Sequence, residues 1–468
     1  MSFLEKLSGA IWGPWLLGAF LVVGGYYSLR TGFFQLFRLP VWWKTTVGSL
    51  LRRKKGPGRG AVTQLQALST ALAATIGTGS VAGVATAIFY GGPGVVFWMW
   101  VSAFIGMMTG CAEKILAVRY REKGPDGRWR GGPMTYIRKG LRLPKLAALY
   151  ALFCTAETLM GGNLAQANSI ATSLHAAFGL DRLVTGIVLA LVTAVVLMGG
   201  IRRVGQLSEL LVPIMAGLFI GAGAIVIAAH WRALPETFSL IVQYAFAPRA
   251  VAGGYCMGTA LRYGVARGVF TNEAGLGMSA IAHACADVEE PAEQGMWGIF
   301  EVFFATLVIC TVTALVILTS GLYSVPEAVN MINRGVIPES MLGAPLTAAG
   351  FGTVLGRAGE WIVSLSLVLF AFTSLLGAGY YGRRGVESLT GRRWAVALYQ
   401  LAFPACVVFG SVGDLTSVWL LVDVFNGLLA VPNLLALMLL SPEVLRQLWG
   451  WLDWRKKVPK GEKTSAGA

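Results

Sequence analysis

Two short clusters of glycine and polar residues interrupt long apolar segments, and residues of these types can bind ions. The first cluster spans residues 75–80 (TIGTGS) and the second spans residues 271–277 (TNEAGLG). Glycine disfavours a helix by about 1 kcal/mol relative to alanine, so each cluster predicts an interrupted helix. The freed N–H groups can hold a carboxylate, and the freed carbonyl groups can hold Na⁺ or an ammonium group. A segment that offers both polarities suits a zwitterion such as an amino acid.

Charged residues within apolar segments are informative because burying a charge in a membrane is costly. Glu273 lies in the second cluster, and two interpretations stay open: a role in binding, or an ion pair with Arg267 or Arg262. Asp423 has no explanation from the sequence. Four other charged residues are expected near segment ends, in contact with solvent: Glu113, Lys114, Glu301 and Glu360.

Two further pairs of polar residues could contribute to a site. Asn163 and Gln166 lie three residues apart, so on a helix they share one face. They can face a central cavity, or they can bond to a neighbouring helix. Thr373 and Ser374 are adjacent hydroxyls in an apolar stretch. They can bond to their own helix, or they can bind Na⁺, because hard cations prefer oxygen ligands.

Common enzyme and metal motifs are absent from the sequence. Residues 77–82 (GTGSVA) match GxGxxA, but that dinucleotide pattern requires a strand and a βαβ unit, whereas these residues lie in a long apolar run. Neither a P-loop nor the GxSxG pattern of hydrolases occurs, so we predict that the chain is not an enzyme. Its 6 cysteines and 3 histidines are scattered without a metal-ligand spacing.

The elements that must position these residues are predicted to be membrane-spanning helices. Hydrophobic residues make up 55% of the 468 residues and charged residues only 13%, which excludes disorder and makes a soluble enzyme improbable. The first apolar run is too long for a signal-peptide core, so it is expected to be retained. Eleven apolar segments are long enough to cross a bilayer: 8–28, 61–89, 95–118, 146–174, 183–200, 207–229, 255–285, 296–319, 359–380, 394–411 and 415–440.

The distribution of positive charge predicts the topology. Alternate gaps between the segments hold 29 Lys and Arg residues on one side and 6 on the other. Positive residues concentrate on the cytoplasmic side, so the N-terminus is predicted outside the cell membrane and the C-terminus inside. The net charge of +15 is therefore a topology signal, and no nucleic-acid partner is predicted.

The two interrupted segments predict an inverted repeat. Segment 2 runs from inside to outside, segment 7 runs in the opposite direction, and each opens a set of five segments. Paired interrupted helices in oppositely oriented halves indicate the binding site of a secondary transporter. We predict an all-α polytopic membrane protein with about eleven transmembrane helices and an inverted five-plus-five repeat. Residues 61–229 and 255–440 form the repeats, 1–60 a first helix and basic loop, and 441–468 a basic cytoplasmic tail.

Several motifs resemble the alanine/glycine:cation symporter family of the amino acid–polyamine–organocation superfamily. The resemblance extends from about residue 60 to residue 440. It implies the inverted five-plus-five fold and the transport of alanine, glycine or similar amino acids with Na⁺, sometimes H⁺. The motifs are 77–88 (GTGSVAGVATAI), 91–94 (GGPG), 97–100 (FWMW), 267–277 (RGVFTNEAGLG), 282–284 (AHA), 294–295 (QG) and 380–382 (YYG).

The same resemblance implies roles for individual residues. Backbone groups of the first cluster would hold the substrate carboxylate, and side chains of two other segments would contact the substrate. These substrate residues are Thr75, Gly77, Thr78, Gly79, Gln166, Phe270, Thr271 and Asn272. One Na⁺ would be held by the carbonyls of Ala73, Ile76 and Phe370 and the hydroxyls of Thr373 and Ser374.

Three positions depart from the family pattern. Ser80 stands where Asn is usual and Ala305 where Asp is usual, so a second cation site is in doubt. Ala378 stands where Trp is usual, which predicts room for a substrate larger than alanine. The long gap 320–358 is predicted to cap the outer vestibule.

The sequence therefore predicts Na⁺-coupled symport of a small neutral amino acid by alternating access. The expected partners are the amino acid, Na⁺ and the lipid bilayer, with no obligate protein partner. H⁺ coupling stays open as an alternative. A sensor that binds without transporting is a second alternative, and a channel is a third. Interrupted helices fit a discrete binding site better than a continuous pore.

Overall fold

The computed structural model describes residues 3–50, 61–248, 255–413 and 416–457. Parts of three predictions lie outside the described residues. These are the end of the basic loop at 51–60, residue 415 at the start of the eleventh segment, and residues 458–468 of the tail.

Within residues 3–50, five helices precede the first predicted repeat. The longest of them begins with Pro14, whose fixed φ suits the first turn of a helix. The chain leaves this helix through Phe33, which has a left-handed backbone conformation. The five are α1 (Phe3–Ile11), α2 (Pro14–Arg30), α3 (Phe34–Phe37), α4 (Leu39–Thr45) and α5 (Val47–Leu50).

The first predicted repeat contains eight helices among the described residues, with a two-stranded antiparallel hairpin between two of them. Its π-helical segments, Gly79–Gly83 and Met160–Ala165, each continue into an α-helix. The elements are α6 (Gln64–Thr75), α7 (Val84–Gly91), α8 (Val95–Arg119), β1 (Glu122–Lys123), β2 (Trp129–Arg130), α9 (Pro133–Gly140), α10 (Pro144–Leu159), α11 (Gln166–Phe178), α12 (Arg182–Met198) and α13 (Gly200–Ala229).

The rest of the described chain is also helical. A third π-helical segment, Phe303–Cys310, joins two helices, and short 3₁₀ turns lie at Trp231–Ala233 and Glu339–Met341. The helices are α14 (Leu234–Ala245), α15 (Met257–Asn272), α16 (Ala280–His283), α17 (Pro291–Val302), α18 (Thr311–Thr319), α19 (Val325–Arg334), α20 (Gly343–Leu355), α21 (Arg357–Thr390), α22 (Arg393–Val412), α23 (Thr416–Leu439) and α24 (Ser441–Lys457).

By length and composition, the described residues contain six helices able to cross a membrane, or seven if one bent pair counts as a single span. The other predicted segments contain shorter or interrupted helices, among them α2, α12 and α15. The count of eleven stays a prediction. The six helices are Val95–Arg119, Gly200–Ala229, Pro291–Thr319, Arg357–Thr390, Arg393–Val412 and Leu421–Leu439, and the bent pair is Gln64–Thr75 with Gly79–Gly91.

Both predicted interruptions are present. Helix α6 ends at Thr75, and the chain resumes as a helix at Gly79 after a bend of 50°. We call residues 76–78 the first break. Helix α15 ends at Asn272, and no helix forms before Ala280; we call residues 273–279 the second break. The prediction of two discontinuous helices is confirmed, although the second break is followed by only one helical turn.

Helix α8 lies at the centre of the packing, against α2, α15 and α17. Small residues allow the closest of these contacts. A Cβ atom added at Gly298 would lie 2.5 Å from the carbonyl oxygen of Gly110, so the two helices touch through their backbones. This contact brings the end of α8, which carries two charged residues, beside α17.

The segments predicted as a loop and a tail are partly helical and packed. The gap 320–358 contains α19 and α20, and the Thr347 hydroxyl of α20 donates to the Val81 carbonyl at 3.1 Å. Helix α24 buries Trp451. Burial favours a raised pKa of Glu443 on α24, but hydrogen bonds from Arg119 and Gln447 outweigh it and hold that pKa below its ordinary value.

Candidate substrate and ion site

The two breaks meet at one cavity of about 540 Å³, a volume that includes its opening. Gly77 of the first break and Gly79, directly after it, line one side, and Phe270, near the end of α15, and Glu273 of the second break also line the cavity. The contact is close, because a Cβ atom at Gly79 would lie 3.0 Å from the Phe270 ring. The cavity therefore combines backbone groups from both interrupted spans.

Five of the eight predicted substrate residues line this cavity and three do not. The five are Thr75, Gly77, Gly79, Gln166 and Phe270. Thr78, Thr271 and Asn272 are buried outside the lining. Asn272 donates to the Thr306 hydroxyl at 3.0 Å, and the Thr271 hydroxyl donates to the Gly268 carbonyl at 3.0 Å, so both side chains have partners within the protein.

Gly77 is needed for close approach at the first break. A Cβ atom there would lie 2.8 Å from the Ser374 hydroxyl and 3.6 Å from the Gln166 amide. The backbone therefore approaches side chains from two other helices, α21 and α11. Since Gly77, Gln166 and Ser374 also line the cavity, a small ligand there would contact all three elements.

The two hydroxyls predicted to bind Na⁺ are each hydrogen-bonded to one of the predicted carbonyls. The Ser374 hydroxyl donates to the Ala73 carbonyl at 2.9 Å, and the Thr373 hydroxyl donates to the Phe370 carbonyl at 3.0 Å. These four residues and Ile76 are all buried. A hydroxyl oxygen keeps lone pairs for a cation while its proton is donated, so the chemistry of this set fits Na⁺.

The two hydroxyls behave differently. Thr373 bonds within its own helix, as one of the two interpretations of the sequence expected. Ser374 bonds across to α6, one turn before the first break. It therefore links α21 to the interrupted span.

Asn163 and Gln166 do not share the cavity. Gln166 lines it, whereas Asn163 donates to the Phe403 carbonyl of α22 at 2.7 Å. The prediction that both amides could face the cavity is wrong for Asn163, which takes the alternative role of bonding to a neighbouring helix. The cause is the π-helical segment Met160–Ala165, because its wider turn changes the angle between residues three apart.

Two carboxylates, those of Glu157 and Glu273, also line the cavity. Among the described residues neither makes an ion pair within 4.0 Å, so the proposed pairing of Glu273 with an arginine is not found. Arg267 lies instead over the Phe270 ring, 4.9 Å from its centroid, and Arg262 is exposed.

A buried ionic cluster lies beside the second break, and the sequence analysis missed it. Glu113, Lys114 and Glu301 were expected in solvent, but all three are fully buried, so that prediction is wrong; only Glu360 is exposed as expected. The Lys114 amine lies 3.1 Å from the Glu301 carboxylate and 3.4 Å from that of Glu113. Burial is possible because each charge has a partner of opposite sign.

The cluster is bonded to the second break. The Gly275 N–H donates to the Glu113 carboxylate at 2.8 Å, and the Lys114 amine donates to the Ser279 hydroxyl at 2.8 Å. Asn433 of α23 donates to the Glu113 carboxylate at 2.8 Å and to the Gly275 carbonyl at 2.9 Å. The adjacent charges at 113 and 114, inside an apolar segment, were the signal that could have revealed this cluster.

The cluster continues to a histidine. His283 lies 3.2 Å from the Glu301 carboxylate through Nε2, and its Nδ1 lies 2.5 Å from the Gln294 amide. The side chains that follow the second break are therefore held by α17 as well as α8.

The three departures from the family pattern are all buried. Ser80 carries a buried hydroxyl just after the first break, and Ala305 lies in the π-helical segment Phe303–Cys310. Ala378 lines the cavity, and its Cβ atom faces Gly162. A Cβ atom added at Gly162 would clash with the Cβ atom of Ala378. A larger residue at 378 would therefore fill part of the cavity.

Comparison with known proteins gives matches over almost the whole chain. The profile described as the sodium:alanine symporter family matches residues 1–466. The sodium/alanine symporter AgcS of Methanococcus maripaludis is 39% identical over 464 residues, 98% of this chain and 99% of that protein. The probable sodium/glutamine symporter GlnT of Bacillus subtilis is 35% identical over 459 residues, 97% of this chain and 92% of that protein.

Two solved structures share the fold at low sequence identity. The structure of MhsT in complex with L-phenylalanine aligns with a TM-score of 0.59 and 10% identity, covering 85% of this chain and 93% of that one. A manganese transporter of Eremococcus coleocola aligns with a TM-score of 0.51 and 14% identity, covering 82% and 78%. These two alignments bear on the fold alone, which is that of helical transporters with inverted repeats.

The family matched is one of membrane transporters and not of enzymes. The match extends over both predicted repeats and both breaks. The chain belongs to the sodium:alanine symporter family.

Proposed function

We propose that this protein is a secondary active transporter that carries a small neutral amino acid together with Na⁺ by alternating access. The observation that carries the proposal is the meeting of both interrupted spans at one cavity beside a buried set of carbonyl and hydroxyl oxygens. Relatives named as sodium/alanine and probable sodium/glutamine symporters support Na⁺ and a neutral amino acid.

The substrate carboxylate would bind at the first break. Backbone groups of Thr75, Gly77, Thr78 and Gly79 would hold it, because N–H groups at the start of a half-helix attract anions. Gln166 would contact the substrate from α11. Residues 270–272 would form the wall at the second break, with Phe270 in direct contact.

Na⁺ would bind between the first break and α21. Its ligands would be the hydroxyls of Thr373 and Ser374 and the carbonyls of Ala73, Phe370 and Ile76. Binding a cation at Ser374 would tie the interrupted span to α21. This link gives Na⁺ a direct effect on the shape of the substrate cavity, which Ser374 also lines.

The proposal also includes the membrane topology and the two repeats that the sequence predicts. The excess of Lys and Arg in alternate gaps supports an outside N-terminus and a cytoplasmic C-terminus in the cell membrane. Residues 61–229 and 255–440 would be the two repeats, and the helices of the gap 320–358 would cover the outer vestibule.

Transport by purified protein in liposomes tests the function. Radiolabelled glycine, L-alanine, D-alanine and L-glutamine are offered under an inward Na⁺ gradient, a choline control and an inward pH gradient. We expect saturable uptake that requires the Na⁺ gradient. Uptake driven by the pH gradient alone would show that the coupling ion is H⁺ and not Na⁺. Binding without counterflow exchange would indicate a sensor, and non-saturable flux would indicate a channel.

The number of coupled Na⁺ ions is tested in the same liposomes. Ser80 and Ala305 lack the side chains expected for a second cation site, so a Hill coefficient for Na⁺ near one is expected. A coefficient clearly near two would contradict the single-cation proposal.

A further inference from the structure

Several residues that line the cavity carry acceptors of hydrogen bonds. Glu157 and Glu273 line it and are only 6% and 7% exposed. Among the described residues neither carboxylate has an ion-pair partner, and Oε2 of Glu273 has no hydrogen-bond partner. A buried carboxylate without a donor is costly, so these two groups are available to accept hydrogen bonds from a ligand that enters the cavity.

Two neutral side chains add acceptors to the cavity lining, those of Asn426 and Gln166, which are 2% and 8% exposed. Among the residues that the structure describes, Oδ1 of Asn426 and Oε1 of Gln166 have no hydrogen-bond partner. They belong to α23 and α11, so they are independent of the second break. Unpartnered acceptors on three separate elements indicate a ligand that carries several donors.

The basic residues nearby do not supply those donors. Lys114 is engaged with Glu113, Glu301 and Ser279. Arg267 lies over the Phe270 ring, and no Lys or Arg among the described residues lines the cavity. Tyr381 also lines the cavity, and its hydroxyl has no partner in the described part of the chain. With its single proton this hydroxyl can satisfy only one acceptor.

The backbone conformation of Glu273 gives independent evidence that its side chain has a role in binding. Its φ of 54° lies in the left-handed region, and it ends α15 where Gly or Asn would be favoured. A bulky residue in this conformation costs about 1 kcal/mol or more. Strained residues concentrate at binding sites, where the side chain compensates for the conformation.

We propose that Glu157 and Glu273 bind the ammonium group of the transported amino acid, assisted by Gln166 and Asn426. An ammonium group offers three donors and one positive charge, which matches these acceptors. The carboxylate of the same substrate would lie at the backbone of the first break. The proposal rests on the proposed function, since it assigns the second end of the zwitterion.

Equilibrium binding with conservative variants tests it. Glu157→Gln and Glu273→Gln remove the charge and keep the size, and Glu360→Gln is the matched control because Glu360 is exposed. Binding of radiolabelled glycine, L-alanine and L-glutamine is measured in detergent at saturating Na⁺. Loss of a charge-assisted hydrogen bond should weaken binding about tenfold to a hundredfold in both variants. The control should stay within about twofold of wild type.

A second substitution at Glu273 distinguishes loss of binding from misfolding. Glu273→Asn shortens the side chain but tolerates the left-handed conformation, so it should fold and still bind weakly. Size-exclusion profiles and melting temperatures are compared for all variants. Correctly folded Gln variants with wild-type affinity would overturn the proposal.

The remaining outcomes distinguish an ammonium group from a proton or a metal cation at these carboxylates, and they also test the proposed function. If the Gln variants keep their affinity but lose the pH dependence of binding, the carboxylates carry a proton and the proposal is wrong. If they keep their affinity but need more Na⁺, a cation binds there and the proposal is equally wrong. If wild-type protein binds none of the three amino acids, both this proposal and the proposed function are overturned.

Discussion

The two breaks are held in different ways. The first break is flanked by neutral hydrogen bonds to neighbouring helices, from the Ser374 hydroxyl to the Ala73 carbonyl and from the Thr313 hydroxyl to the Ser80 carbonyl. The second break is bonded to Glu113 and Lys114, both fully buried and charged. A neutral hydrogen bond contributes about 1 kcal/mol, whereas breaking a buried ion pair costs about 3–5 kcal/mol.

The glycines of the two breaks serve different purposes. Gly275 and Gly277 have φ values of 97° and 81°, which only glycine adopts without strain. Gly77 has no such φ, and it is needed because a Cβ atom there would lie 2.8 Å from the Ser374 hydroxyl. From this comparison we expect substitutions at the second break to lower the stability of the protein. Substitutions at the first break should instead change Na⁺ binding.

The largest expected effect is that of Lys114→Met. The substitution leaves Glu113 and Glu301 buried without their cation, so the free energy of unfolding should fall by about 3–5 kcal/mol. Denaturation in detergent micelles measures the change. Lys456→Met is the matched control, because that side chain is 70% exposed, and its effect should stay within about 0.5 kcal/mol.

A compensating variant sharpens this result. Replacing Glu113, Lys114 and Glu301 together by Gln, Met and Gln removes all three charges and leaves none unpaired. It should recover part of the stability lost by Lys114→Met. A Lys114→Met protein whose free energy of unfolding is within about 1 kcal/mol of wild type would show that this cluster does not stabilise the second break.

The next effect is that of Asn433→Ala. The substitution removes hydrogen bonds to Glu113 and Gly275 and leaves the Tyr136 hydroxyl, which donates to Asn433, without its acceptor. Leaving such buried groups unsatisfied should lower the free energy of unfolding by about 1–3 kcal/mol. Asn330→Ala on α19 is the control, since Asn330 is exposed. Equal stabilities for the two variants would refute the role given to Asn433.

At the first break, the variant Thr373→Ala with Ser374→Ala should change ion dependence more than stability. Loss of hydroxyl ligands should raise the Na⁺ concentration for half-maximal uptake about tenfold, which corresponds to about 1.4 kcal/mol. Uptake in liposomes over a range of Na⁺ concentrations measures it. Thr353→Ala, which removes an exposed hydroxyl, should leave the dependence unchanged. An unaltered Na⁺ dependence in the double variant would remove these hydroxyls from the site.

The sequence predicted the breaks well because glycine and polar residues in an apolar segment have strong local preferences. It failed where the answer depends on packing between distant segments. Glu113 and Lys114 are buried only because Glu301 and the second break are brought to them from more than a hundred residues away. Asn163 points to α22 because a π-helical turn changes its direction, and no local pattern marks such a turn.

The smallest expected effect concerns Gly77 and Ser374 as a pair. In Gly77→Ala the added methyl group would lie 2.8 Å from the Ser374 hydroxyl, which must rotate away from the Ala73 carbonyl. We expect a loss of about 1 kcal/mol in the free energy of unfolding. In a Ser374→Ala background the crowding is relieved, so the same substitution should cost about 0.5 kcal/mol less. Strictly additive effects in this double-mutant cycle would show that Gly77 is required for another reason. They would weaken the contrast between a first break shaped by close approach and a second break shaped by backbone conformation.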